Sequence, residues 1–159
     1  MAVALAVEER AWKAREWPMT RQAWEALDAD ATQLTARVAA NDGYITGRLD
    51  GEADAPRFVP NIVGQQLLHQ LTKVREVLER AVVIDDPTLA VIGRRVTLEE
   101  ADGATSTYAL VIPGDGDPRN GFVSGDSPVG SALLGRRIGE VVTIDAPAGS
   151  WSATITSID

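Results

Sequence analysis

The sequence has no cysteine, a single histidine and two methionines, and aromatic side chains make up only 5% of it. Each shortage closes a class of function. Without cysteine there are no disulfides, thiol nucleophiles, zinc ribbons or cysteine-held iron–sulfur centres. His69 alone cannot build a histidine-rich metal site, and no G-x-S-x-G elbow accompanies it for a hydrolytic triad. No apolar run approaches the ~20 residues that a membrane span requires. Residues 1–7 are apolar but lack the basic start of a signal peptide, so a soluble cytoplasmic protein without membrane contact is expected. Basic residues are also scarce, 15 Lys and Arg against 23 Asp and Glu, giving a net charge of −8. A protein whose main task is gripping phosphate backbone needs a basic face, which this composition does not supply.

Apolar residues make up 45% of the chain and charged residues 24%, enough to form a packed core. Their periodicity changes along the chain. Trp24, Leu27, Ala31, Leu34 and Val38 follow the alternating three- and four-residue spacing of a heptad seam. Thr20 stands before them as an N-cap, after Pro18, and a helix is predicted over about 20–41. A second seam runs through Leu67, Leu71, Val74, Leu78 and Ala81, predicting a helix over about 61–82. Between them, residues 42–60 hold three glycines and two prolines, which break helix. Two helices with narrow apolar stripes bury them on each other, so an antiparallel coiled-coil hairpin is expected, about 30 Å long. Its tip is 42–60. Residues 1–19 form an extension with helical character over 5–17, in which Trp12 and Trp17 cover the base of the hairpin.

From about residue 83 the pattern alternates with a period of two. Residues 94–99 and 105–112 read as strands around an Ala101-Asp102-Gly103 turn. Residues 113–121 form a loop. Ser127 as N-cap, Pro128 in the first turn and Gly135 as the left-handed stop enclose one short helix. Residues 141–146 and 151–158 make another antiparallel pair across Pro147-Ala148-Gly149. The fold class is therefore α+β: a helical hairpin over 20–82, then a small antiparallel sheet with one short helix over 83–159.

Candidate chemistry is sparse. The tip gathers Asp42, Asp50, Glu52 and Asp54 beside Arg48 and Arg57. Such carboxylates suit a hard divalent cation such as Mg²⁺, and the plainer reading is a solvated acidic loop. His69 reads as structural or solvent-facing. Arg94-Arg95 and Arg136-Arg137 read either as a solvated edge or as contacts for an acidic partner. Ser124 and Ser127 have no neighbouring histidine to activate them. Phe122 and Trp151 read as core.

The run Ser124-Gly125-Asp126-Ser127-Pro128-Val129-Gly130-Ser131-Ala132-Leu133-Leu134-Gly135-Arg136-Arg137-Ile138-Gly139-Glu140, followed by Pro147-Ala148-Gly149, resembles the C-terminal signature of the GreA/GreB transcription elongation factors. Met19-Thr20 and Val83-Ile84-Asp85 also match that family, so the resemblance spans about 19–159. It implies an FKBP-like C-terminal domain that docks on RNA polymerase at the secondary channel, with Asp126, Ser127, Pro128, Val129 and Gly130 in the docking region. It further implies a coiled coil that enters the channel toward the active site. The tip acids would then lie near the polymerase metal and share Mg²⁺ with it, the factor being no enzyme on its own. Nascent RNA and DNA would be met only through the elongation complex, by a monomer.

The tip departs from the family pattern. Its aspartate falls on Asp50, but the glutamate three residues on falls on Ala53, with Glu52 and Asp54 on either side. Pro56 and Pro60 also oppose a regular helical start. This spacing weighs against cleavage stimulation and toward Gfh-type paralogues that occupy the channel and inhibit transcription. Two other readings stand beside it. One is a peptidyl-prolyl isomerase of FKBP type, for which Tyr108, Phe122 and Trp151 are the available pocket aromatics. The other is a Rnk-like regulator, whose coiled coil is shorter.

Overall fold

The computed structural model describes residues 16–45 and 62–159, with the side chains of 42–45 outside that description. The described chain divides into two compact units. One comprises residues 16–25 with Arg80–Asp159 and the other residues 26–45 with 62–79. Residues 16–25 thus fold with the C-terminal part of the chain, and the unit boundaries fall at 25/26 and 79/80, beside the 20 and 82 read from the periodicity.

The helical unit is built from helix α1 (Arg21–Ile45) and helix α2 (Ile62–Glu79). Thr20 caps α1 as expected, its hydroxyl accepting the Ala23 N–H at 3.1 Å. Helix α1 continues past Asp42 and Gly43, which the sequence pattern assigned to the tip. An interior glycine costs a helix only about 1 kcal/mol, which an established helix absorbs. Leu27, Ala31 and Leu34 of α1 are buried, as are Leu67, Leu71, Val74 and Val77 of α2. Each such leucine or valine contributes about 1.5–3 kcal/mol by leaving water. Arg75 Nη2 donates to Thr35 Oγ1 at 3.3 Å, so the helices lie side by side.

Helix α2 ends at Glu79, short of the predicted 82. The heptad position Ala81 belongs instead to strand β2 (Ala81–Val83), which pairs in parallel with strand β1 (Trp17–Met19). Val77 takes the last buried position of the seam, with Leu78 half-buried. The β-branched Val82 and Val83 suit an extended backbone, and a pairing partner decides the matter. The same pairing makes Trp17 the start of a strand, correcting the helical expectation there; residues 5–15, including Trp12, lie outside the described residues. Trp17 faces Ala81, so the strand that leads into α1 pairs with the strand that follows α2.

The other unit holds a five-stranded sheet of β3 (Arg95–Glu100), β4 (Thr105–Val111), β5 (Phe122–Ser124), β6 (Val141–Ala146) and β7 (Gly149–Ile158), in the order β5-β4-β3-β7-β6. Both hairpins fall where the turn residues place them, with Gly103 at φ 84° and Asp102 Oδ1 accepting the Ala104 N–H. Strand β5 was hidden in the sequence. It is three residues long and pairs in parallel with β4, so the sheet is mixed rather than wholly antiparallel. Helix α3 (Pro128–Leu133) lies after it. Val96, Leu98, Leu110, Val123, Leu133, Val142, Ile144 and Ile155 fill the interior. Phe122 remains 38% exposed because Val123 takes the inward position of edge strand β5, and Trp151 is only half-buried; neither is the core residue that was expected.

Residues 89–92 (Leu89, Ala90, Val91, Ile92) are almost wholly buried. Asp86 holds the entry to this segment. Its Oδ1 accepts the Thr88 N–H at 2.9 Å and hydroxyl at 2.6 Å, and its Oδ2 accepts Arg137 Nη1 at 3.1 Å. The Thr88 hydroxyl and N–H, and then Arg137, hold the Asp86 carboxyl below its ordinary value of 3.8 against the opposing effect of burial. A lowered carboxyl value means that its stabilisation is complete above the unfolded value and is lost as pH falls through the folded one. Asp86→Asn is expected to cost about 1 kcal/mol at pH 7, the scale of one charge-assisted pair at a partly exposed site. Urea unfolding should show that difference shrinking as pH drops below 3.8.

Candidate functional site

Two places carry the sequence-derived candidates. The first is the acidic tip. Asp50, Glu52 and Asp54 lie outside the described residues. Asp42 lies in α1 as backbone, and its side chain is outside the description. Among the described residues no group of three or more His, Asp or Glu side chains is arranged to hold a metal ion. His69 is exposed on α2, as its isolation in the sequence suggested.

The second place is the turn from β5 into α3, residues 124–131. Ser127 acts on both sides of it. Its hydroxyl donates to the Ser124 carbonyl at 2.7 Å and accepts the Gly130 N–H at 3.0 Å. One side chain therefore closes the turn behind it and caps the helix ahead of it. Pro128 follows in the first turn, where its missing N–H costs nothing. Ser124 Oγ donates to Asp126 Oδ1 at 2.6 Å, and Ser131 Oγ donates to the Ser127 carbonyl. Asp126 and Pro128 are exposed, Ser127 and Val129 are half-buried, and Gly130 is buried. The turn thus presents an anionic, rigid outer edge on a buried floor.

The floor depends on Gly130. A Cβ there would clash with the Ser124 carbonyl oxygen and lie 3.1 Å from Ser127 Oγ. The glycine lets the first turn of α3 sit directly on the end of β5. At the other end of α3, Gly135 takes φ 78° and its N–H donates to the Ala90 carbonyl at 2.7 Å. That left-handed stop was legible in the sequence; its attachment to residue 90 was not.

The arginine pairs separate on inspection. Arg137 donates to Asp86 and to Thr88 Oγ1, the latter at 2.7 Å, so it serves the fold. Arg136 reaches Glu140 at 3.6 Å on the surface. Arg95 is exposed, and Arg94 is half-buried, with its Nε buried and without a hydrogen-bond partner among the described residues. Sequence reasoning missed the contact of Trp17 with Gly125 at the β5–α3 turn. The missed signal was Gly125 itself, a glycine with no turn requirement. A surface recess over β3, β6 and β7, lined by Glu99, Glu100, Ala101, Val141, Ser152, Ala153, Thr154 and Thr156, contains no aromatic ring and does not suit a prolyl side chain.

Comparison with known proteins bears on the same region. The model of the GreA/GreB transcription elongation factor C-terminal domain matches residues 87–159. Transcription elongation factor GreA of Bacillus cytotoxicus is 29% identical over 161 aligned positions, covering 91% of this chain and 97% of that relative. GreA of Oceanobacillus iheyensis is 36% identical over 115 positions, covering 69% of this chain and 70% of that relative. The crystal structure of GreA factor homolog 1 of Thermus thermophilus aligns over 91% of this chain and 99% of that one, at 22% identity and a TM-score of 0.42.

The role of Gly130 is open to direct measurement. Gly130→Ala should destabilise the unit by about 2 kcal/mol or more, the cost of forcing a methyl against backbone. Urea unfolding of the full chain reads this, and Ser131→Ala, at an exposed neighbouring site, should cost under about 1 kcal/mol.

Proposed function

Since this chain belongs to the GreA/GreB family of transcription elongation factors, we propose that it is a regulator that docks on RNA polymerase at the secondary channel and directs its helical hairpin toward the active site. The observation that carries the reading is the 124–131 turn, whose family-like residues have interlocking tasks. Ser127 caps, Pro128 opens the helix and Gly130 admits the backbone. A surface so fixed is suited to rigid recognition, because little conformational freedom remains to be lost on binding. Asp126, Ser127, Pro128, Val129 and Gly130 form the docking region in this proposal. The protein acts as a monomer in the cytoplasm, meets RNA and DNA only through the elongation complex, and performs no catalysis by itself.

The hairpin tip supplies the regulatory end. Asp50, Glu52 and Asp54, with Asp42 at the end of α1, offer the hard oxygen donors that Mg²⁺ takes. Mg²⁺ shared with the polymerase would bring Lewis-acid activation of water to that site. The residues of this chain orient toward that ion only as well as their spacing allows. Ala53 stands where the family pattern has its second acid, and metal-assisted chemistry tolerates little misplacement. We therefore read the protein as a channel-occupying regulator that restrains synthesis, with transcript cleavage as the rival activity of the same tip.

A stalled elongation complex distinguishes these. Wild-type protein is expected to bind core polymerase at micromolar concentration and to slow RNA extension, leaving transcript cleavage at the polymerase's own rate. Removing 26–79 should abolish the effect on synthesis while docking persists. Cleavage that rises with wild type and disappears with Asp50→Ala would assign the rival activity. Absence of binding to the cognate core enzyme would overturn the proposal altogether.

A further inference from the structure

We infer that Trp17 is a positioning residue for the 126–130 turn, and that strand β1 thereby sets the shape of the docking surface. The inference rests on the docking role proposed above. It begins with Gly125. This residue does not use the left-handed backbone region, unlike Gly121 and Gly135 around it. Any amino acid could adopt its backbone, so the requirement for glycine is one of space. The space is taken by Trp17. A Cβ on Gly125 would lie 2.9 Å from Trp17 Cζ3, 3.2 Å from Trp17 Cε3 and 3.1 Å from Leu134 Cδ1. The indole and Leu134 therefore each pack on the bare backbone immediately before Asp126.

Every side of this contact is fixed. The Trp17 N–H donates to the Arg80 carbonyl at 2.8 Å, and the residue pairs with Ala81. The Gly125 N–H donates to the Val111 carbonyl at 3.0 Å, which ties the turn to β4. Leu134 stands at the far end of α3. The indole thus lies against the entry to the helix that carries the candidate docking residues, and Leu134 from the exit of that helix packs on the same glycine. Hydrogen bonds inside the turn fix its local form; the indole fixes where the turn sits on the strand below. The residue reaches the turn from the strand that precedes α1.

Amide hydrogen exchange on the full-length chain, with affinity for core RNA polymerase, tests this. Trp17→Leu should raise exchange at Ser127, Gly130 and Ser131 at least about tenfold and leave Ala153 and Ile155 within about twofold. It should weaken polymerase binding at least about fivefold. Gly125→Ala, which adds one carbon under the indole, should produce the same pattern. The double variant should fall closer to wild type than the two single effects combined, because the leucine vacates the place of the added methyl. Unchanged exchange in the turn, or strictly additive variants, would overturn the inference. If exchange rises but affinity holds, Trp17 shapes a turn that does not dock, and the inference fails while polymerase binding stands. If wild type does not bind polymerase, the docking role fails, and the exchange cycle alone decides whether Trp17 positions the turn. Should Trp17→Leu raise exchange throughout the chain, the Gly125→Ala variant carries the decision.

Discussion

The constraint on which the C-terminal unit depends is the burial of residues 89–92. Leu89, Ala90, Val91 and Ile92 lie almost entirely out of water, and buried backbone polar groups must be hydrogen-bonded. Their partners come from both flanks. The Ala90 N–H donates to Arg136 O and its carbonyl accepts from Gly135, while the Ile92 N–H donates to Pro18 O and its carbonyl accepts from Thr20. The segment therefore cannot be buried unless the exit of α3 and the strand before α1 are both in place. This is why residues 16–25 fold with a module that begins, in sequence, more than fifty residues later.

Glycines mark where these distant pieces touch. At Gly93, φ 98° combines with a close approach, since a Cβ would lie 2.5 Å from Thr20 Oγ1 and 2.9 Å from Ala23 Cβ. Gly125 and Gly130 add the contacts with Trp17 and the Ser124 carbonyl. Each missing side chain is matched to a specific neighbour, so the packing is complementary at single-carbon resolution. The interlocked serines of the 124–131 turn then finish the surface without burying any charge. The acidity that first argued against a grip on nucleic acid is consistent with a protein whose contacts are made with another protein.

Family membership and tip chemistry are separate matters in this chain. Several residues of the C-terminal signature have structural tasks, among them Ser127, Gly130, Gly135 and Arg137. Asp50, Glu52 and Asp54 of the tip lie outside the described residues. Ala53 stands between Glu52 and Asp54, so the tip departs from the family spacing in its sequence alone. In the function proposed above, docking and activity are carried by different parts of the sequence.

Much of the architecture was legible before any coordinates. Heptad spacing identified both helices, because a 3.6-residue period with one apolar stripe has few other uses. Ser127, Pro128 and Gly135 marked α3, since capping and left-handed stops are local chemistry. The Asp102-Gly103 turn placed the first hairpin for the same reason. The acidic candidates at Asp50, Glu52 and Asp54 could be named but not placed, because spacing gives no distance between side chains. What the sequence concealed was non-local. The extended form of Trp17–Met19 and Ala81–Val83, the parallel edge strand Phe122–Ser124 and the contact of Trp17 with Gly125 each depend on a partner remote in the chain. Periodicity, caps and turns are set within a few residues of themselves, so the sequence alone determined them. Pairing and steric fit exist only between segments already brought together, and the tertiary structure alone decided those.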